Sequence, residues 1–168
     1  RRAGMPTSRA SAGPSPAPSR ATYSSATGSS SDQIVLAEGY ELGGYNPVNG
    51  YGETGVSPFY DGLYRPSADT DSVVPELAPA LAEREPEPAG PNRWRIFLRT
   101  GVAFSDGSAF DSADVVATYA AVRDPEVASE ISTSVAPIVA ITADGPDSVT
   151  VELTTAANPK PYLLLGIL

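Results

Sequence analysis

The sequence predicts a mixed α/β (α+β) protein behind a disordered N-terminal tail, and three observations carry that reading. Residues 111–123 combine helical spacing of apolar side chains with a capping pattern at their start. Residues 93–99, 138–143 and 148–153 are short β-rich runs, and the first and last of them alternate in the manner of half-buried strands. Residues 1–31 take 22 of their 31 positions from Ser, Ala, Pro and Gly, a composition that buries too little apolar surface to offset the entropy of ordering.

In chain order, 1–31 is a flexible tether, with an artefactual start as its alternative. Order is expected from Asp32. Gln33 to Ala37 is short, apolar and partly β-branched, hence a buried strand. A Gly- and Tyr-rich stretch follows, with turn signals at Gly43-Gly44, Asn46-Pro47 and Asn49-Gly50. Val56 to Tyr64 reads as a short helix with Ser57-Pro58 near its start. Val73 to Ala78 reads as extended, Leu77 to Ala82 as a helical turn, and Glu83 to Asn92, with three prolines and a glycine, as a surface loop.

Arg93 to Arg99 is the strongest strand, with Trp94, Ile96 and Leu98 on one face. A turn at Asp106-Gly107-Ser108 leads to the helix. Asp111 is its N-cap and Asp114 can reach back as in a capping box. Val115, Val116, Tyr119 and Val122 form its core stripe, and Asp124-Pro125 stops it. Ile138 to Ala143 and Ser148 to Leu153 form a hairpin around Asp144-Gly145-Pro146-Asp147. The chain ends on Tyr162 to Leu168, apolar at six of seven positions. Such a run either marks a truncated domain, the reading preferred here, or a segment that docks back into the core.

Charge and composition exclude several functions. Residues 1–31 hold four arginines and no acid, whereas 32–168 hold all 20 acids against seven bases. So acidic a body repels phosphate backbones, and nucleic acid is not an expected partner. The chain contains no Cys and no His, which removes disulfides, thiolate nucleophiles, His-based triads and imidazole-ligated zinc. No run approaches the roughly 18 apolar residues of a membrane span.

No catalytic set emerges. Asp111 and Asp114 are explained by capping, and Glu83, Glu85 and Glu87 by a solvated loop. Asp69-Thr70-Asp71 lacks the oxygen-ligand spacing of a calcium loop. Gly50-Tyr51-Gly52 with Gly55 lacks the strand and helix that a phosphate-cradling GxGxxG needs. Binding is better supported. The stretch Tyr40 to Tyr60 places four tyrosines among glycines directly after a predicted strand, and α/β proteins gather ligands at strand ends. Tyrosine offers large contact area at low entropic cost. The alternative is that these rings pack the loop onto the domain.

The segment Trp94 to Val122 resembles the signature region of family 5 bacterial extracellular solute-binding proteins. There a strand ending in L-R-x-G-V-x-F-x-D-G precedes an x-A-x-D-V helix. Here those positions are Leu98, Arg99, Gly101, Val102, Phe104, Asp106 and Gly107, then Asp114 and Val115. Tyr45-Asn46-Pro47 is similar to that family's L-N-P, Tyr60-Asp61-Gly62-Leu63-Tyr64 to its Y-E-G-L, and Val74-Pro75-Glu76-Leu77-Ala78 to its P-x-L-A element. The hairpin and the Asn158-Pro159 region follow in order, so the resemblance spans about 33–168. Members are usually much longer, and Gram-positive ones usually carry a lipobox Cys that this chain lacks.

The resemblance implies the N-terminal part of a two-lobed, periplasmic-binding-protein-like fold, with 32–168 supplying one lobe's first strand and most of an accessory domain. It implies a monomeric, non-enzymatic substrate-binding component of an ABC importer. Such a protein holds an oligopeptide or other small solute and delivers it to the permease subunits. It would be extracellular or periplasmic and anchored as a lipoprotein when full-length. No cofactor and no metal are expected. The expected ligand contacts are Tyr40, Glu41, Tyr45 and Asn46. A nickel chelate, haem or sugar as the solute is the second reading, and a hydrolase or structural cell-surface domain the third.

Overall fold

The computed structural model describes residues 44–67 and 74–168. The 1–31 tail, the strand expected at Gln33 to Ala37, and Asp69-Thr70-Asp71 lie outside the described residues. The secondary elements are β1 (Tyr64–Pro66), β2 (Leu77–Pro79), β3 (Glu87–Gly90), β4 (Arg93–Phe97), α1 (Ser112–Arg123), β5 (Ile138–Ala143) and β6 (Ser148–Leu153). Single 3-10 turns lie at Pro47–Asn49 and Lys160–Tyr162. The architecture is mixed α/β, as the sequence predicts.

Strands β3, β4, β6 and β5 form one antiparallel sheet in that order, and β1 pairs antiparallel with β2 in a separate two-stranded ribbon. The hairpin β5–β6 has the predicted bounds. Its turn uses Gly145 at φ 89°, which favours glycine. The Ser148 hydroxyl donates to the Asp144 carbonyl at 2.8 Å, and the Thr150 hydroxyl donates to the Asp144 carboxylate. Along β6, Val149, Val151 and Leu153 are buried while Thr150 and Glu152 are half-exposed. Full burial of each such side chain contributes about 1.5–3 kcal/mol.

Helix α1 packs against β5 and β6. The Asp111 carboxylate accepts from the Ala113 N–H at 2.6 Å, and the Asp114 carboxylate accepts from the Asp111 N–H at 2.8 Å, completing the capping box. The hairpin turn also holds the helix start: Ser112 donates its N–H to Pro146 O at 2.9 Å and its hydroxyl to Gly145 O at 2.6 Å. Val115, Tyr119 and Val122 are buried as expected, but Thr118 is buried where Val116 is only partly so. The cause is the C-terminal run. The Leu168 N–H donates to Thr118 Oγ1 at 3.0 Å, and the Tyr119 hydroxyl donates to Tyr162 O at 3.1 Å.

Three expectations are corrected. Val56 to Tyr64 is not a helix. Ser57 does cap, accepting from the N–H groups of Phe59 and Tyr60 at 3.1 Å each, but the chain is diverted after one turn. Tyr64 donates to Leu163 O at 3.1 Å, and Leu63 O accepts from Ala80 and Ala82. Leu77 to Ala82 is not a helical turn: it begins with β2 and ends in a bridge between Ala82 and Leu98. Glu83 to Asn92 contains β3, a strand that its prolines concealed; it is exposed at the sheet edge, where Pro is tolerated. The apolar C-terminal run, for its part, docks into the core. Leu163, Leu165 and Ile167 are buried in the same core as Leu63, Tyr64, Ile96 and Tyr119.

That core depends on two glycines. A Cβ added at Gly62 would lie 2.7 Å from the Leu164 carbonyl carbon, and one at Gly166 would lie 2.5 Å from Tyr60 Cβ. The backbone pair Tyr64 N–H to Leu163 O and Ile167 N–H to Asp61 O (3.0 Å) brings these segments face to face. Near Pro159, the Lys160 ammonium ties the same region to β2 and its following loop, reaching Leu77 O and Glu85, each at 2.8 Å. Trp94 is half-buried, and its indole N–H is buried with no acceptor.

Three outcomes are expected. Gly62→Ala destabilises the chain by about 2–3 kcal/mol in urea unfolding followed by circular dichroism, because the opposing atoms are backbone and cannot move aside. Trp94→Phe is neutral or stabilising in the same assay, since it removes an unsatisfied donor, whereas Trp94→Ala costs about 3 kcal/mol or more. The third outcome concerns alkaline pH. Burial pushes the Tyr64 and Tyr119 hydroxyls well above their ordinary range, Glu85 adding to the effect at Tyr64. Their contribution to stability is whole below about pH 10 and is lost as pH rises, because the unfolded chain ionises first. The loss is about 1.4 kcal/mol per pH unit for each tyrosine. Tyr119→Phe flattens the alkaline limb of a stability-versus-pH curve.

Candidate functional site

The loop from Gly44 to Tyr60 is shaped by local backbone chemistry. Asn46 is extended, and its side-chain carbonyl accepts from the Val48 N–H at 2.9 Å, capping the 3-10 turn that Pro47 opens. Asn46 O accepts from Asn49 and Tyr51, and Pro47 O accepts from Gly50 at 2.9 Å. Gly50 closes the turn at φ 99°, and a Cβ there would also lie 3.0 Å from Ile131 Cγ2. From the other side, the Ser129 hydroxyl donates to Val48 O. Pro47, Val48 and Tyr51 are thereby buried, and the turn sits on the segment that follows α1.

Aromatic rings cover this pedestal. Tyr51 is 3% exposed, and Tyr45 meets it edge-on at 5.1 Å between centroids. Phe59 meets Tyr45 edge-on at 5.4 Å and stacks near Tyr51 at 6.0 Å, while Tyr60 approaches Tyr51 at 6.3 Å. Tyr45 and Phe59 are 66% and 64% exposed, so two large rings with defined neighbours face outward. Val56, 69% exposed, lies in the same loop. Behind Phe59 a cavity of about 200 Å³ opens between this loop and the turn after β4, with Phe104, Phe110 and Ile167 in its wall. In that turn the Asp106 carboxylate accepts from the Ser108 N–H and hydroxyl at 2.8 and 2.7 Å, bonds that hold its carboxyl below the usual range. Asp106 is a turn-former, as is the Asp111–Asp114 pair a capping device.

Of the four residues expected to contact ligand, Tyr45 and Asn46 are described, and Tyr40 and Glu41 lie outside the described residues. Tyr45 belongs to the outward aromatic group. The Asn46 carbonyl oxygen is engaged in the cap, which makes Asn46 a positioner of the loop. Sequence reading did not single out Phe59, which it placed inside an expected helix, or Ser129, which no local pattern marks. The tyrosine density across 40–60 was the available signal for the group as a whole. Among the described residues no three Asp or Glu side chains converge as a metal site, and no helix is long and apolar enough to cross a membrane.

Comparison with known proteins agrees with this fold. The family model for the middle region of bacterial extracellular solute-binding proteins, family 5, matches residues 76–168. Protein XP55 of Streptomyces lividans is 39% identical over 94 residues, covering 55% of this chain and 16% of that protein. Among solved structures, NikZ from Campylobacter jejuni in complex with Ni(L-His) is similar with a TM-score of 0.63 and 23% identity, over 77% of this chain and 26% of that one. MoaA from A. tumefaciens R10 in complex with mannopinic acid has a TM-score of 0.60 and 23% identity, over 74% and 27%. The oligopeptide-binding protein AppA from Bacillus subtilis, with a nonapeptide, has a TM-score of 0.56 and 20% identity, over 66% and 21%. The chain thus spans about a sixth of the curated relative and about a quarter of the solved ones. With the family match extending over more than half of its residues, the chain belongs to the family 5 bacterial extracellular solute-binding proteins.

Proposed function

We propose that this chain is part of the substrate-binding component of an ABC importer, which binds peptides or similar small solutes and passes them unchanged to membrane permease subunits. The observation that carries this reading is the outward pair Tyr45 and Phe59, held by the buried Tyr51 and the capped turn at Asn46. Rings fixed before binding lose little entropy on contact, and their faces accept varied side chains. Such a surface suits a receptor that tolerates many peptides.

In this reading 1–31 is a tether, 32–168 is a portion of a two-lobed domain that closes by hinge motion, and Tyr40 and Glu41 extend the contact surface before Tyr45. The complete protein acts outside the membrane as a monomer anchored by lipid. Family membership supports peptides as the solute, as does the nonapeptide bound by the AppA relative. Ni(L-His) and mannopinic acid in the other similar proteins define the competing solute classes.

Native mass spectrometry of the protein purified gently from its own cells tests this. Non-covalent peptides of varied sequence, released at unaltered mass, are the expected result. A recovered metal chelate or sugar acid would refute the peptide assignment, and turnover of an added peptide or ester would refute the receptor assignment. Tyr45→Ala is expected to weaken peptide binding roughly tenfold, about 1.4 kcal/mol. Asn46→Ala is expected to cost about 1 kcal/mol of stability through the lost cap.

A further inference from the structure

The cavity behind Phe59 has an unusual wall. Phe59, Tyr60, Phe104 and Phe110 line it, with Phe104 and Phe110 edge-on at 6.2 Å. Among the described residues that line it, Asp61 is the one acid and there is no Lys or Arg. Asp61 is exposed, and the five ion pairs among the described residues all lie elsewhere. Its backbone carbonyl is committed to the Ile167 N–H at 3.0 Å, which fixes the residue at the cavity edge.

The second cavity, about 390 Å³ beside Trp94 and Pro159, differs in this respect. There Lys160 already meets Glu85 and Leu77 O, so its charges are matched from within. Among the described residues, the Phe59 cavity has an acid and no cation. Aromatic faces carry negative quadrupole potential and attract cations that shed their water easily. A cation bearing methyl groups gains from both the rings and the apolar wall, and a neighbouring carboxylate adds Coulomb attraction. A hard, strongly hydrated cation would find one carboxylate and too few oxygens.

We infer that the cavity bounded by Phe59, Tyr60, Asp61, Phe104 and Phe110 binds a small organic cation of the alkylammonium class. At about 200 Å³ it holds one such head group and little more. Since Phe59 belongs both to this cavity and to the outward ring pair, the inference extends the solute-binding reading: a solute resting on Tyr45 and Phe59 places a cationic end here. The site itself does not require that the rest of the solute be a peptide.

The test is aromatic carbon–proton NMR of the whole 168-residue chain, titrated at constant ionic strength with choline and, separately, with its neutral isostere 3,3-dimethylbutan-1-ol. Choline is expected to shift the Phe59, Tyr60, Phe104 and Phe110 signals saturably, with a Kd of about 1 mM. The neutral isostere should bind at least about fivefold more weakly, since it lacks the charge that the rings and Asp61 attract. Asp61→Asn should weaken choline by about the same factor without moving the circular dichroism spectrum. Phe104→Leu, which keeps apolar bulk but removes a ring, should weaken choline and spare the isostere, and it decides the matter if Asp61→Asn fails to fold. Equal binding of choline and its isostere, or choline shifts that survive both substitutions, would overturn the inference, as would no shifts at all. Peptides recovered by native mass spectrometry from a protein that ignores choline would sink this site alone and leave the receptor reading standing.

Discussion

The described structure depends on one close crossing of two chain segments. Asp61 to Tyr64 runs against Leu163 to Ile167, joined by backbone hydrogen bonds at both ends. The approach is possible only because Gly62 and Gly166 lack side chains where the opposing atoms stand. From this crossing Leu63 and Tyr64 enter the core on one side, and Leu163, Leu165 and Ile167 on the other. Leu63 O then accepts from Ala80 and Ala82, which joins the ribbon of β1 and β2 to the Ala82–Leu98 bridge at the end of β4. Closing the first segment against a partner about 100 residues later is entropically costly. It is offset by the burial it makes possible, since every one of those large side chains is at most 3% exposed.

The candidate site inherits its shape from the same crossing. Phe59 and Tyr60 stand just before it, so their backbone is held both by the Ser57 hydroxyl and by the pairing that starts at Asp61. Ile167, on the opposing segment, forms part of the cavity wall. The turn at Pro47–Asn49 is fixed separately, from below, by Ser129 and Ile131. Two anchors thus hold the rings at either end of one loop, and Pro47 of the turn stands against Gly166 of the crossing. A receptor gains from this arrangement, because contact surface ordered before binding does not have to be ordered by the ligand.

How much of this was legible follows from the range of the interactions concerned. The capping box at Asp111 and Asp114, the turn at Asp144 to Asp147 and the alternation in β6 are contacts between near neighbours, and local pattern reported them with the right bounds. The helix expected from Val56 to Tyr64 failed for the opposite reason. Ser57-Pro58 is a true local start signal, but the partners of Gly62 and Tyr64 lie at Leu163 and Leu164, where no window of the sequence can see them. The same distance hid the burial of Thr118, set by Leu168. At the candidate site, the turn at Asn46-Pro47 and the aromatic cluster were readable because both signals are local. Phe59 and Ser129 were not, since their roles arise when separate segments meet.

Family resemblance carried information that propensity did not, and the structure supplies its physical content. The Tyr60-Asp61-Gly62-Leu63-Tyr64 element is not a helix end in this chain; it is the near half of the glycine crossing, and the glycine is the part that sterics demand. The Asp106-Gly107 element is a turn whose carboxylate satisfies Ser108 and whose glycine sits at φ 90°. Gly62 and Gly107 serve the backbone, and the Asp106 carboxylate serves its own turn. Tyr45, which opens the Tyr45-Asn46-Pro47 element, and Phe59, which precedes Tyr60, turn their rings outward. In a scaffold built this way the rings beside the crossing and turns can change without disturbing either, so that fold and binding surface are separable.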